Sequence, residues 1–430
     1  MTDPATATPA GSAVRTQRGT ASRPRREARA RASASAGLGG RPGGAIVLGA
    51  SYRALAVVRS LGRAGIPVAV VRTDDHALAQ TSRYARQRLG ALRGDGGRRS
   101  EQLLALTRRR GLRGWVLMCT GDEDAAMVAR EHDALSRELV LTTPPWPVLR
   151  LAYDKREVRR LASRLGLSQP WTAVPALEGG PAALEPPFPA VLKPAMKTEQ
   201  NALTAAKAWR VDDRADLARR WTEACRLVDP AILLLQQLIE GGPQLSFAAL
   251  CRDGEVLAEL TARRARQYPV EFGRASTFVE TIDDPSLARD ARPLLHAMGY
   301  TGMVEVEYVR DPATGRNLLL DVNPRAWGWQ SLGARAGVDF PLLLYRMAAG
   351  EHIEPACAVP GERWVRLLAD VAAAAEERRR GRLTMRAWVA SLRGAVEGAV
   401  FVRDDPLPAL ADAVLLGGLV VARLRRGEAV

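Results

Sequence analysis

Apolar runs alternating with helical spacing mark the first ordered part of the chain. In AIVLGASYRALAVVRSLGRAGIPVAVV, the run Ala45 to Leu48 meets a Gly-Ala-Ser turn, Leu55, Val58 and Leu61 follow at helical spacing, and Pro67 to Val71 is apolar again. That order predicts strand, helix, strand. A third run, Gly114 to Cys119, ends in Thr120-Gly121-Asp122-Glu123 and predicts a helix through Ala125 to Ala134; Leu139 to Thr142 predicts a fourth short strand. Strands alternating with helices imply a parallel sheet covered on both faces, here an α/β domain over 45–150. Consecutive prolines cannot continue a helix or a central strand, so TTPPWPVLR places a domain boundary near 143–150.

Beyond it the pattern changes. A helix on Val158, Leu161 and Leu165 closes at Gly166, and 178–187 reads as a loop. Antiparallel strands are then expected at Ala190 to Lys193, Ala231 to Gln236, Leu245 to Cys251 and Glu255 to Thr261, the last two joined by Asp253-Gly254, a strong hairpin signal. A second hairpin pairs Met303 to Val309 with Asn317 to Asn323. These elements predict an α+β domain over 151–355, followed by a helical region over 356–430. The apolar run Leu407 to Ala422 has sixteen residues including Asp412, short of the roughly 20 that span a bilayer. It fits a packed helix, or an amphipathic one in peripheral membrane contact that ends in Arg423, Arg425 and Arg426.

Composition narrows the class. At 430 residues, 47% hydrophobic and 25% charged, the chain is globular with room for two or three domains. Part of the net charge of +15 lies in residues 1–44, where eight arginines face only Asp3 and Glu27 and almost nothing can be buried, so disorder is expected there. That start lacks a secretory apolar stretch, although its Arg- and Ser-rich, acid-poor character also fits an organellar transit peptide. With only 5% aromatic residues, the basic charge does not suit specific nucleic-acid binding by base stacking. Cys119, Cys225, Cys251 and Cys357 are too widely spaced for zinc or a disulfide framework, which implies a reduced, cytoplasmic setting. No GxSxG or HExxH pattern occurs.

The second hairpin carries the most informative chemistry. In GMVEVEYVRDPATGRNLLLDVNPRAWGW, Val304, Val306 and Tyr308 alternate with Glu305 and Glu307, and Leu318, Leu320 and Val322 alternate with Leu319, Asp321 and Asn323. Period two therefore puts the acidic groups on one face. If Glu307 and Asp321 share it, two carboxylates and an amide oxygen form a hard-oxygen set suited to magnesium carried by a polyphosphate. A one-residue slip in register would separate them. The plain alternative is a hairpin with one solvated face. Lys155 in AYDKRE and Lys193 at the end of FPAVLKP add two ammonium groups that could meet phosphate oxygens. The first glycine turn, by contrast, has one glycine where a dinucleotide fingerprint needs three.

The order of these motifs resembles the ATP-grasp superfamily: DK before a helix, a strand ending in LKP, one ending in QQLIEGG, and a carboxylate hairpin closing in DVNPR. The likeness covers about 45–355, with the α/β part similar to the Rossmann-like N-terminal domain of these enzymes. It is nearest to the carboxylate-amine ligase branch, which is similar to the carbamoyl-phosphate synthase large chain and D-aspartate ligase. The resemblance implies that Lys155 and Lys193 bind ATP phosphates, that Gln236, Gln237, Leu238 and Ile239 form the hinge against adenine, and that Gln244 stands at a ribose-binding position. It further implies Glu307, Asp321 and Asn323 as ligands of Mg2+, with Mn2+ as an alternative, and Arg325 as the arginine that steadies the transferred phosphate. One of Arg263, Arg264 and Arg266 is expected to hold the substrate carboxylate, with Arg266 carried as the catalytic candidate.

The implied partners are a small-molecule carboxylate and an amine, and a homo-oligomer is compatible with the family. Three departures stand out. Asp321 replaces the usual Glu, Gln237 and Gln244 replace commonly acidic adenosine contacts, and the phosphate-covering loop AMKTEQNALTAAKAW contains no glycine. Lys197, Thr198, Asn201 or Lys207 could supply side-chain contacts in its place. A non-catalytic nucleotide-binding or basic scaffold protein on the same fold is the rival expectation.

Overall fold

Fully apolar runs form the central strands of the first sheet, as a sheet buried on both faces requires. The computed structural model describes residues 41–196, 201–273 and 275–414. The disorder expected of the basic tail falls on 1–40, outside the described residues, as do Lys197, Thr198 and the part of the Leu407–Ala422 run beyond 414. Strands β1 (Ala45–Leu48), β2 (Val68–Arg72), β3 (Ala85–Ala91), β4 (Val116–Cys119) and β5 (Val140–Leu141) form a parallel sheet in the order β3-β2-β1-β4-β5. Helices α1 (Tyr52–Arg63), α2 (Gly96–Arg109) and α3 (Asp122–Arg130) connect its strands.

Two of these elements leave no apolar run in the sequence. β3, ARQRLGA, is an edge strand that alternates buried and exposed positions, and α2 starts at two glycines behind an Asp95 cap that accepts from the Arg98 amide. The helix expected to reach Ala134 stops at Arg130, and a separate turn covers His132–Leu135. In the proline stretch, Pro145 caps a helix, α4 (Trp146–Tyr153), with Pro147 in its first turn, where a missing N–H costs nothing. Gly49 has φ +98°, and a Cβ there would lie 2.3 Å from the Thr120 Oγ1 that donates to the Leu48 carbonyl. That close strand-to-strand contact accounts for the glycine without a dinucleotide.

After α5 (Lys155–Arg164), the strands β6 (Thr172–Ala173), β7 (Ala190–Pro194), β8 (Trp209–Val211) and β9 (Leu233–Gln237) form a small antiparallel sheet, order β6-β9-β7-β8. The larger sheet contains β10 (Gln244–Arg252), β11 (Glu255–Tyr268), β12 (Ala275–Ile282), β13 (Gly302–Arg310) and β14 (Asn317–Asn323). It is completed by β15 (Ala356–Cys357), β16 (Arg363–Val365) and β17 (Glu397–Gly398). The carboxy-terminal region is therefore not purely helical, as its Ala- and Arg-rich pattern suggests. Beside the helices α6 (Leu367–Arg379) and α7 (Met385–Ser391) it adds strands to the far edge of this sheet, too short to register as apolar runs.

The two largest cores both mix early and late residues. Ile46 and Leu48 pack with Leu149, Val158, Phe247 and Tyr308, whereas Val47, on the other face of β1, packs with Leu250, Trp327 and Trp364. A late segment of the chain also grips α1 and the turn before β3. Buried Asp405 accepts from Arg59 Nε at 2.9 Å, Ser82 Oγ at 2.7 Å and the Arg83 amide at 2.9 Å. Among the described residues no helix is long and apolar enough to cross a membrane.

Candidate active site

The site grows from the register of one hairpin. Glu307 lies opposite Asp321 and Glu305 opposite Asn323, so side chains across these pairs share a face. The ladder shifts between Glu307 and Tyr308, where Leu320 is the extra residue. This bulge corrects the alternation read from the sequence: Leu319 pairs with Tyr308 and joins Val322 in the core, so it is not on the Asp321 face. The shift keeps Leu319 inward and Asp321 on the polar side.

Basic groups then close on the carboxylates. Lys155, the first residue of α5, donates to Asp321 at 2.8 Å, held there by its own amide bonding to the Ala195 carbonyl and by the Asp154 cap beside it. Arg264 pairs with Glu307 at 3.1 Å and donates to the Gln244 side-chain oxygen at 3.0 Å. Asn323 donates to Glu307 at 2.9 Å and to Glu305 at 3.2 Å, leaving its oxygen to accept from Arg325 at 3.2 Å. Arg325 is also gripped by Asp122, through Nε at 2.7 Å and Nη2 at 3.3 Å. Buried Glu305 accepts from Ser246 and from the Trp329 indole, each at 3.0 Å.

On the small sheet, Lys193 at the end of β7 donates to the Gln236 oxygen at 2.8 Å, while the Gln236 amide donates to Thr172 at 2.9 Å. Lys155, Thr172, Lys193, Gln236 and Asp321 line one narrow cleft of about 20 Å³. Gln237, the last residue of β9, and Leu238 and Ile239 after it are half-buried, with the amides of Gln237 and Leu238 bonded to the Trp171 and Pro189 carbonyls. A phosphate at the two lysines would compete with Asp321 for Lys155 and with Gln236 for Lys193.

Burial and neighbours set the charges. Burial, with Glu307 alongside, pushes the Glu305 carboxyl up. Burial acts on Glu307 as well, yet Arg264, Lys207 and the Asn323 amide outweigh it and hold its carboxyl low. Burial and the neighbouring Lys155 push the Lys193 ammonium down to about 8. Burial acts on Lys155 too, but Asp321 outweighs it and keeps that ammonium above its ordinary value.

Not every expected residue converges here. Arg266 is used elsewhere: its fork pairs with Asp370 of α6 through two contacts of 2.8 Å, over the Phe278 ring. Arg263 pairs with Glu280 across β11 and β12 at 2.6 Å, exposed to solvent. Of the three arginines it is Arg264 that enters the cluster: regular pairing sets it opposite Gln244, on the same face as Ala262, and the irregular pairing that follows, between Arg264 and Gln267, turns Arg266 away. Asn201 caps a short helix through the Thr204 amide, whereas the Lys207 ammonium is felt at Glu307. Asp122 and Glu305 are in the cluster although the motifs did not single them out. Asp122 sits just beyond the carboxyl end of a central parallel strand, where ligand sites of such sheets gather, so that rule could have found it.

The donor set suits a hard cation in its chemistry. Among the described residues no three His, Cys, Asp or Glu side chains converge as a complete metal site. Two carboxylates and an amide would need further oxygens, as magnesium on a polyphosphate has.

No family model matches the chain. It is 24% identical over 264 residues to the carbamoyl phosphate synthase large chain of Vibrio cholerae, a match covering 59% of this chain but only 23% of that relative. In structure it is similar to the biotin carboxylase domain of Hydrogenobacter thermophilus 2-oxoglutarate carboxylase, solved with magnesium ADP and bicarbonate. The TM-score is 0.58 at 18% identity, over 74% of this chain and 73% of that one. It is also similar to the L-amino acid ligase of Bacillus licheniformis, with a TM-score of 0.54 at 18% identity over 74% and 78% of the two chains. The fold is that of the ATP-grasp proteins. Within this ATP-grasp framework the carboxylate hairpin of the large sheet faces the two lysines set by β7 and α5.

Proposed function

We propose that the chain is an ATP- and magnesium-dependent ligase that activates a carboxylate as an acyl phosphate and joins it to an amine. The observation that carries this reading is the register of Glu307 opposite Asp321, with Lys155 and Lys193 at the edge of the same cleft. Relatives and structural neighbours include ATP-dependent ligases and carboxylases, which supports the same general chemistry.

Lys155 and Lys193 bind the nucleotide phosphates, Gln236 to Ile239 and Gln244 receive the nucleoside, and Arg325 and Arg264 face the carboxylate end. Glu307, Asp321 and Asn323 would hold magnesium or manganese, which when bound supplies Lewis-acid stabilisation of phosphate oxygens. Asn323 presents its amide nitrogen to Glu307, so Glu307 and Asp321 are the stronger members of that set. A substrate carboxylate oxygen attacks the γ-phosphorus and the bond to ADP breaks. The amine nitrogen then attacks the acyl carbon, inorganic phosphate leaves, and the amine proton passes to water. Charge grows on phosphate oxygens in the first step, so fixed cations at Lys193 and Arg325 contribute by electrostatic stabilisation rather than by covalent chemistry.

The test is ADP release with magnesium, ATP and pools of amino acids and small carboxylic acids, run beside Asp321→Ala. Turnover with at least one pool, lost in the variant, is expected; equal turnover in both proteins would remove the metal assignment. The glycine-free phosphate loop favours a second reading, a nucleotide-binding protein without turnover. It would be recognised by ADP binding with no ADP release from any pool.

A further inference from the structure

One acidic group of the first sheet reaches into the cluster built by the other two. Asp122, the first residue of α3, takes Arg325 through two nitrogens, although the residues lie 203 positions apart in the chain. Both side chains are nearly shut off from solvent, at 15% and 9% exposed. Arg325 follows the hairpin strand β14 by two residues, and among the described residues its other side-chain hydrogen bonds go to the Asn323 oxygen and its neighbour's carbonyl. A long guanidinium with only those two contacts would have freedom to swing; a two-point carboxylate grip removes it. Asp122 also acts on Lys155, helping to keep that ammonium charged beside Asp321.

We infer that Asp122 is a positioning residue, which fixes Arg325 from the opposite sheet so that its guanidinium is already oriented when the phosphoryl group moves. The inference rests on the proposed role of Arg325. It makes the first sheet a working part of the reaction and assigns that part to one carboxylate. Asp321 acts on Lys155 more strongly than Asp122 does, so loss of the Asp122 charge should change nucleotide affinity only slightly.

Asp122→Asn keeps the shape and removes the charge. Loss of an orienting partner typically costs about 10- to 100-fold. The expected result is a fall of that size in kcat, with the KM for ATP within about threefold of the parent. Asp122→Glu should recover part of the loss. The double variant with Arg325→Ala should be no slower than Arg325→Ala alone, since a pair acting as a unit is not additive. A second readout needs no substrate: with ADP, magnesium and aluminium fluoride as the mimic of the moving phosphoryl group, Asp122→Asn should weaken the complex about tenfold while ADP alone binds as before. Unchanged kcat, losses that multiply with those of Arg325→Ala, or equal weakening of ADP alone would overturn the inference. Parent protein that binds ADP but turns over no acid would remove the ligase reading instead, and the aluminium fluoride comparison would then decide the role of Asp122.

Discussion

Lys193 shows how a single residue takes its character from its surroundings. Its ammonium is brought down to about 8 by burial and by Lys155, against an ordinary value of 10.5. The folded state therefore binds fewer protons than the unfolded chain between about pH 8 and 10.5, so this residue opposes folding fully below that window and the penalty is relieved as pH rises through it. The same loss of charge weakens attraction for phosphate. ADP affinity should decline as pH rises through about 8, and Lys193→Met should bind more weakly but without that dependence; titration calorimetry at several pH values would check both. The place of Lys193 at the end of a strand was legible from the apolar run before it. Its partner Gln236 and the diversion of Arg266 to Asp370 were not, the latter because pairing along β11 turns irregular after Arg264, which composition does not encode.

Strands and turns were read more reliably than the distortions within them. Asp253-Gly254 predicts the first hairpin, and both residues take left-handed φ, 51° and 86°. A Cβ on Gly254 would also stand 2.8 Å from the His296 Cα. Gly254→Ala should therefore destabilise the protein by about 2 kcal/mol or more, read from a shifted denaturation midpoint at unchanged slope. The bulge at Leu320 is the opposite case. Three leucines in a row give no sign of which is extra, so the sequence reading set Leu319 beside Asp321 when it packs with Val322. The acidic pair was nonetheless identified, because the shift falls between the core-facing Leu319 and the site-facing Asp321. The edge strand β3 and the short strands β16 and β17 are hard to see for a simpler reason: one buried side, or two or three residues, leaves little apolar signal.

At the scale of the molecule, interlocking outweighs the linear division into parts. Arg59 is buried in α1 and is satisfied by Asp405 and the Val400 carbonyl, both far along the chain. Breaking one partner of a buried pair strands the other, so Asp405→Ala should cost about 3–5 kcal/mol, seen as a lower thermal midpoint. An Arg59→Met, Asp405→Leu double replacement should lose much less. The Asp405 contacts also bear on how the protein is made. A polypeptide leaves the ribosome from its amino end, and the first parallel sheet is synthesised hundreds of residues before the carboxylate that neutralises its helix. Until Asp405 emerges, the guanidinium of Arg59 lacks its counter-ion, so the first parallel sheet and its helix α1 cannot complete their packing before that much later segment has been made.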